Sequence, residues 1–438
     1  MRDWSPEQVA TAAGARLLAP APADPRRPPG PERVTIDSRD VRAGDLFVGL
    51  PGTRVDGGRF ARAALDAGAW GVLVAREHAP GAGPGVVIAA DEPLTALGAL
   101  ARSWRRALRA QVVGITGSTG KTSTKDLLAA MLAQDRRVAA SWENFNTEIG
   151  LPLTILGAPL GTEALVVEMA MRGPGEIAEL TAIAEPDVGV IVNVGPVHLE
   201  LLGSLEAIAA AKAELLAGLR PGASAVVPAD EPLLDAHLRD DLQIVTFGPG
   251  GDVGDLGDVE LPFTSAHMRL NALAALAAAR ALGADPRGRL EVALSAMRGQ
   301  RIELPGPVLV IDDCYNANPM SMRAALDDLA ASAATSGAGR RVAVLGDMLE
   351  LGPDQSRFHA EIGAHAASSG VDVLVTVGPL AARMAETFGG EVHAARDAAE
   401  AAALTRELLR PGDTVLVKGS RGVGLEVVAQ GLQAEPAG

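Results

Sequence analysis

The sequence predicts an α/β protein of three domains: a small mixed α/β unit, a central parallel-sheet unit with a phosphate loop, and a smaller doubly wound unit. Three observations carry this. A chain of 438 residues is long enough for about three domains of roughly 150 residues. Two series of short apolar runs alternate with helical stretches, the rhythm of parallel strands covered on both faces. Aromatics make up only 3% while glycines number 50, which suits a glycine-punctuated α/β chain better than a β-sandwich.

Residues 1–109 form the first predicted unit. The stretch APAPADPRRPPGPE (19–32) reads as a surface loop, because proline lacks a donor and resists regular pairing. Strands are expected at 33–37, 45–49, 70–74 and 85–89, and helices at 57–67 and 92–109. In the second unit, 110–303, the runs QVVGIT, ALVVEMA, DVGVIVNV and SAVVPA read as buried strands, with helices at 121–133, 174–183, 204–219 and 271–282. The Gly- and Asp-rich stretch 248–262 reads as a loop. The third unit, 304–438, repeats the rhythm with PVLVID, RRVAVLG, VDVLVTVG and DTVLVKG, and helices at 319–335, 355–369, 379–387 and 397–410.

Composition excludes several functions. Lys and Arg total 39 against 54 Asp and Glu, a net charge of −15, so broad nucleic-acid binding is not expected. The single cysteine, Cys314, rules out an intramolecular disulfide and a cysteine zinc site. The opening MRDWSPEQVA lacks an apolar core, and NALAALAAARALG is broken by Arg280 and too short to span a bilayer. A cytoplasmic protein without stable membrane insertion is expected.

The most informative stretch is VVGITGSTGKTSTKDLLAAML (112–132). A strand leads into Gly117–Ser118–Thr119–Gly120–Lys121–Thr122–Ser123, and a helix follows. Glycines let backbone N–H groups wrap a phosphate, and the helix N-terminus adds its positive end. Lys121 can reach β/γ-phosphates, and the Thr122 hydroxyl can ligate Mg²⁺. The strict phosphate-loop pattern would place glycine at 115, where Ile115 stands; the alternative is a glycine-rich turn beside an unrelated lysine.

Ligands of open α/β sheets gather at the carboxyl ends of strands. Glu168 and His198 both follow strand candidates, although each could be an ordinary loop or surface residue. Lys212 adds weight. It falls on the apolar stripe of the helix 204–219, formed by Leu205, Ile208, Leu215, Leu216 and Leu219, whereas Glu206 and Glu214 point outward. A core-facing lysine is costly unless it is paired, snorkels to the surface or is chemically altered. With a lowered pKa it can react with CO₂ to give a carbamate, an anionic oxygen ligand suited to Mg²⁺.

Together these residues resemble the Mur ligase family of ATP-dependent amide-forming enzymes of peptidoglycan precursor synthesis. The likeness extends over nearly the whole chain. It includes DSRDVRAGDLFVGLPGTRVDG (37–57), NFNTEIGLPLTIL (144–156), EMAMRGPGEIAEL (168–180), IDDCYNANPMSM (311–322) and VLGDMLELG (344–352), which point to the branch that adds a dipeptide. It implies a UDP-substrate domain, a central ATPase domain and a Rossmann-like third domain, working as a monomer. It implies ATP and two Mg²⁺ ions, with Lys121, Glu168, His198, carbamoylated Lys212 and Arg301 catalytic, and Thr122, Glu168, His198 and Lys212 holding metal. Asn271, Arg301, Asp313 and Tyr315 would join the phosphate loop around the nucleotide. Ser38, Arg39, Asn146, Thr147, Asn316 and Asn318 would meet the substrates, UDP-N-acetylmuramoyl-tripeptide and D-alanyl-D-alanine.

The implied chemistry is transfer of the ATP γ-phosphoryl to the peptide carboxylate, then attack by the dipeptide amine on the acyl phosphate. Three departures stand out: Thr147 where members usually carry asparagine, Ala266 where a glycine usually precedes His267, and a short stretch between Phe247 and Asn271. A trimmed central edge and a reshaped adenine pocket are therefore expected. The rival readings are a sister ligase adding a single amino acid, a P-loop ATPase or kinase that makes no amide, and a non-catalytic nucleotide-binding scaffold.

Overall fold

The computed structural model describes residues 1–20, 28–81, 83–263, 265–336 and 339–433. Residues 21–27 of the predicted 19–32 loop lie outside the described residues.

Three open sheets follow one another along the chain. The first contains β1 (Arg16–Ala19), β2 (Arg33–Thr35), β3 (Asp45–Val48), β4 (Gly71–Ala75) and β5 (Val86–Ala90), in the order β1-β5-β4-β3-β2 with only β1 antiparallel. The second contains β6 (Gln111–Thr116), β7 (Val138–Ala140), β8 (Ala164–Glu168), β9 (Val188–Ile191), β10 (Ser224–Pro228) and β11 (Gln243–Phe247). It is parallel throughout, in the order β11-β10-β9-β6-β8-β7. Beyond it, β12 (Val259–Glu260) and β13 (Gly288–Arg289) make a short pair. The third sheet holds β14 (Gln300–Leu304), β15 (Val308–Asp312), β16 (Arg341–Gly346), β17 (Val373–Val377), β18 (Glu391–Ala395) and β19 (Thr414–Lys418), in the order β14-β15-β19-β16-β17-β18. Only β14 runs antiparallel to its neighbour.

The central strands are apolar runs because helices cover both faces. One face packs against the helices Lys121–Leu132 and Ala266–Ala281, whose alanines let them approach closely. The other shares a continuous core with the first unit, where Trp104 packs in and donates its indole N–H to the Ala158 carbonyl at 3.0 Å. Leu199 packs against both this core and that of the third sheet. Among the described residues no helix is long and apolar enough to cross a membrane.

Several expectations need correction. The helix expected from 271 begins at Ala266, which places Asn271 in its interior. The helix carrying Lys212 spans Leu205–Ala217; Leu205 is exposed rather than on the buried stripe, and Leu219 lies buried beyond its end. Glu214 accepts backbone N–H groups from Gly175 and Ala178, so it caps the helix Glu176–Ala184 instead of pointing freely outward. The expected unit boundary at 303/304 falls inside β14, whose pairing with β15 places Arg301 on the third sheet. The stretch expected as a loop at 248–262 contains β12.

Candidate active site

The phosphate loop connects β6 to the helix Lys121–Leu132. Gly120 takes φ +76°, and a side chain there would collide with the amide of Asn271. Glycine therefore serves both the turn and the close approach of the Ala266–Ala281 helix. Asn193, just past β9, clasps the loop. Its Oδ1 accepts from Ser118 N (3.1 Å) and Thr119 N (2.9 Å), while its Nδ2 donates to Thr119 Oγ1 at 3.0 Å. Ser118 Oγ donates to the Gly195 carbonyl at 3.0 Å. Ser123 is buried on the first helical turn. Lys121 Nζ donates to the Gly117 carbonyl at 2.6 Å. Burial lowers the Lys121 pKa, with Glu168 opposing and Arg298 adding to the shift.

Glu168 ends β8, fully buried. One carboxylate oxygen accepts from Thr122 Oγ1 at 2.9 Å, the other from Asn146 Nδ2 at 2.8 Å. A single carboxylate thus joins the phosphate loop to the 141–147 loop. Thr147, next along, is exposed.

Lys212 is 2% exposed and has no hydrogen-bond or ion-pair partner among the described residues. Burial holds its pKa well below the ordinary lysine value, and the charge of Lys121 pushes the same way. His198, at φ +53°, is also pushed down, first by burial, then by Lys121 and Lys212, with Glu350 pulling it back up. Lys121, Glu168, His198 and Lys212 therefore sit within electrostatic reach of one another through Lys121. No group of three His, Cys, Asp or Glu able to hold a metal occurs among the described residues. The expected donor set has only two such side chains, and would need a hydroxyl and a modified lysine to be complete.

Beside the phosphate loop opens a cavity of about 870 Å³ between the second and third units. Phosphate-loop residues, Asn193, His267 and Asn271 line one side; Arg301, Asp313, Asn316, Asn318, Asp328 and Lys418 line the other. Arg301 donates to both oxygens of Asp328 at 3.1 Å and to Ser332 Oγ at 2.8 Å. Burial raises the Asp328 pKa, opposed by Arg301 and His267, and burial lowers that of His267, opposed by Asp328. Lys418 Nζ, deeply buried, binds Asp313 Oδ2 at 2.6 Å and the Asn316 carbonyl at 3.0 Å. The Arg298 guanidinium lies over the Tyr315 ring, 4.0 Å from its centroid.

Three further expected substrate residues, Asn318, Asn316 and Arg39, have local partners. Asn318 Oδ1 accepts from Ser321 N at 2.9 Å, capping the helix Pro319–Ser336, so its oxygen is engaged in the turn and only its amide N–H groups remain for a ligand. Asn316 Oδ1 accepts from Ala317 N at 2.8 Å. Ser38 and Arg39 follow β2 and do not line the cavity, and Arg39 pairs with Asp37 at 2.7 Å. Asn193 and Lys418 escaped the sequence reading although both lie at the carboxyl ends of strand candidates. Asp328 and Glu350 carry no local signal, since their partners come from distant segments.

Three family models match the chain: the Mur ligase middle domain over 115–279, the Mur ligase glutamate ligase domain over 297–421, and the Mur ligase family catalytic domain over 32–105. The UDP-N-acetylmuramoyl-tripeptide–D-alanyl-D-alanine ligase of Bacillus subtilis is 36% identical, covering 92% of this chain and 93% of that protein. The Escherichia coli protein of the same name is 33% identical, covering 92% and 94%. Among solved structures, MurF from Acinetobacter baumannii aligns with a TM-score of 0.85 at 29% identity over 98% of this chain and 99% of its own. MurF from Thermotoga maritima in complex with ADP aligns at 0.78 and 32%, over 92% and 97%.

Proposed function

The chain belongs to the Mur ligase family, and from that premise we propose that it joins D-alanyl-D-alanine to the terminal carboxylate of UDP-N-acetylmuramoyl-tripeptide, with ATP converted to ADP and phosphate. The observation that carries this reading is the Glu168 carboxylate, bonded on one oxygen to Thr122 of the phosphate loop and on the other to Asn146 of the loop assigned to the peptide. A kinase or simple ATPase has no need of that second connection.

The reaction needs two anions brought end to end. A peptide carboxylate is a poor electrophile, and phosphoryl transfer to it makes an acyl phosphate that an amine can attack. The chain's part is positioning and charge neutralisation. Lys121 gives up the Gly117 carbonyl for the β/γ-phosphates, and the backbone clasped by Asn193 holds its N–H groups toward them. Arg301 neutralises phosphate charge from the third unit, while Asn271, Asp313 and Tyr315 bound the nucleotide. Ser38 and Arg39 hold the uridine nucleotide. Asn146 and Thr147 face the muramoyl peptide, and Asn316 and Asn318 meet the dipeptide.

A buried hydroxyl and carboxylate 2.9 Å apart fit a magnesium ion that takes its other ligands from phosphate and water. Thr122 and Glu168 would hold it; His198 and carbamoylated Lys212 would hold a second. Bound magnesium supplies further charge neutralisation at the reacting oxygens. Lys212 is suited to the modification, because burial holds its pKa well below the ordinary lysine value, which favours the reactive neutral amine, and no group among the described residues pairs with it. Nζ bonds to the carbon of CO₂ and loses one proton, giving a carbamate. A monomer and a cytoplasmic location complete the reading, the latter supported by the nucleotide-linked substrates. The three roles are assigned to the first, central and third of the units expected at 1–109, 110–303 and 304–438, with the last boundary drawn ahead of β14.

The testing experiment is ADP release with UDP-tripeptide, comparing D-alanyl-D-alanine with single amino acids. Release that requires both the peptide acid and the dipeptide is expected. Equal release with single amino acids favours the sister-ligase reading, and release without either acceptor favours the ATPase.

A further inference from the structure

We propose that Glu350, carried by the third unit, is a positioning residue for His198 of the central unit: it fixes which ring nitrogen of the histidine faces the reaction, and does so only when the third unit is docked. The proposal rests on the assignment of His198 to the active site.

Glu350 Oε2 lies 2.5 Å from His198 Nδ1, although 152 positions separate the two residues. A carboxylate can only accept, so Nδ1 must carry the proton. Nε2 is then the free ring nitrogen, the one left for the site. Outer carboxylates fix histidine tautomer and ring orientation in this way in many sites.

The backbone on both sides is built for this contact. Glu350 has φ +62° and His198 φ +53°, a region that non-glycine residues rarely occupy. Such residues persist where their surroundings over-determine them, and they gather at functional sites. Glu350 sits on an arch with its own fixings. Met348 N donates to His359 Nε2 at 2.9 Å, Leu349 N to Ser420 Oγ at 3.0 Å, and Ala381 N to Asp347 Oδ1 at 2.7 Å. His359 is fully buried and its Nδ1 lies 2.6 Å from the Gln355 carbonyl, so its own orientation is locked. On the opposite side, His198 opens the short helix Leu199–Leu202, and Leu199 packs into the cores of both units. Nearby, Gly195 leaves room for Met320 of the third unit, whose sulfur a side chain would strike. A mere surface ion pair would need neither the two strained residues nor the anchored arch.

The test uses the full-length protein. With selective ¹⁵N-histidine labelling, seven histidines give a small set of ring signals, and that of His198 is assigned by its loss in H198N. The expected result is a proton on Nδ1 in the wild type and in E350Q, whose amide oxygen still accepts, and a shift toward the Nε2–H form in E350A. This is read without nucleotide or metal. In turnover, E350A is expected to lose about tenfold or more in kcat while KM for ATP moves less than about twofold and E350Q keeps most activity. An E350A protein whose His198 stays protonated on Nδ1 overturns the proposal, as does one whose kcat is unchanged. Full activity of H198N removes His198 from the site and the proposal with it, while leaving the ligase reading to the ADP-release assay.

Discussion

Lys212 shows how far one residue type at one helical position can be read. An apolar stripe interrupted by lysine is visible in any helical projection, and burial without a partner among the described residues explains why the Lys212 pKa is pushed well below the ordinary lysine value. Lys212→Ala is expected to be nearly inactive in ADP release and partly rescued by short-chain acids; full turnover without any additive would sink the carbamate. Glu168 was legible because it closes an apolar strand. Its double connection was not, because Asn146 and Thr122 reach it from separate loops. Asn193 was not singled out, since an asparagine after a strand looks like any turn residue. Asn193→Ala removes the clasp on Ser118 and Thr119; KM for ATP should rise about tenfold, the scale of one to two hydrogen bonds, in nucleotide titrations. An unchanged KM would show that the loop holds its shape unaided.

Among elements, the buried parallel strands were the easiest to foresee, because two covered faces demand unbroken apolar runs. Most edge strands were missed, although β2 at the edge of the first sheet was foreseen. β7, β11 and β18 are only partly buried, and β14 carries charged residues, so none has the period that marks a core strand. Element ends depend on partners in the same way. Glu185, in the left-handed turn closing the helix Glu176–Ala184, receives Arg102 and Arg106 from the helix Pro93–Leu108. Arg106 first, then Arg102, hold its pKa at about 2, below the ordinary glutamate value. The sign is that of a depressed carboxylate: stability is present above the unfolded pKa and lost as pH falls toward about 2. Because the pair is largely exposed and salt-screened, Glu185→Gln should cost no more than about 1 kcal/mol near neutral pH in denaturant melts, and less at high salt. A larger, salt-insensitive loss would mean that Glu185 is structural in some other way.

For the whole molecule, the three-unit order was legible from repeated strand–helix rhythm, but the meeting of the second and third units was not. It depends on His198 with Glu350, Gly195 with Met320, and Arg301 facing the phosphate loop across the cavity. A site divided between units should respond to its ligands as units move. Small-angle scattering is expected to show a more compact particle with ATP analogue and UDP-tripeptide together; identical profiles with and without them would count against closure. The central claim is that a triphosphate and a peptide acid react end to end over Lys121, Glu168, His198 and Lys212. It is tested most directly by labelling both oxygens of the tripeptide's terminal carboxylate with ¹⁸O and analysing the phosphate released during synthesis. One ¹⁸O atom in each phosphate, with the other retained in the new amide, is the expected result. Unlabelled phosphate would mean that no acyl phosphate forms, and the account would fail.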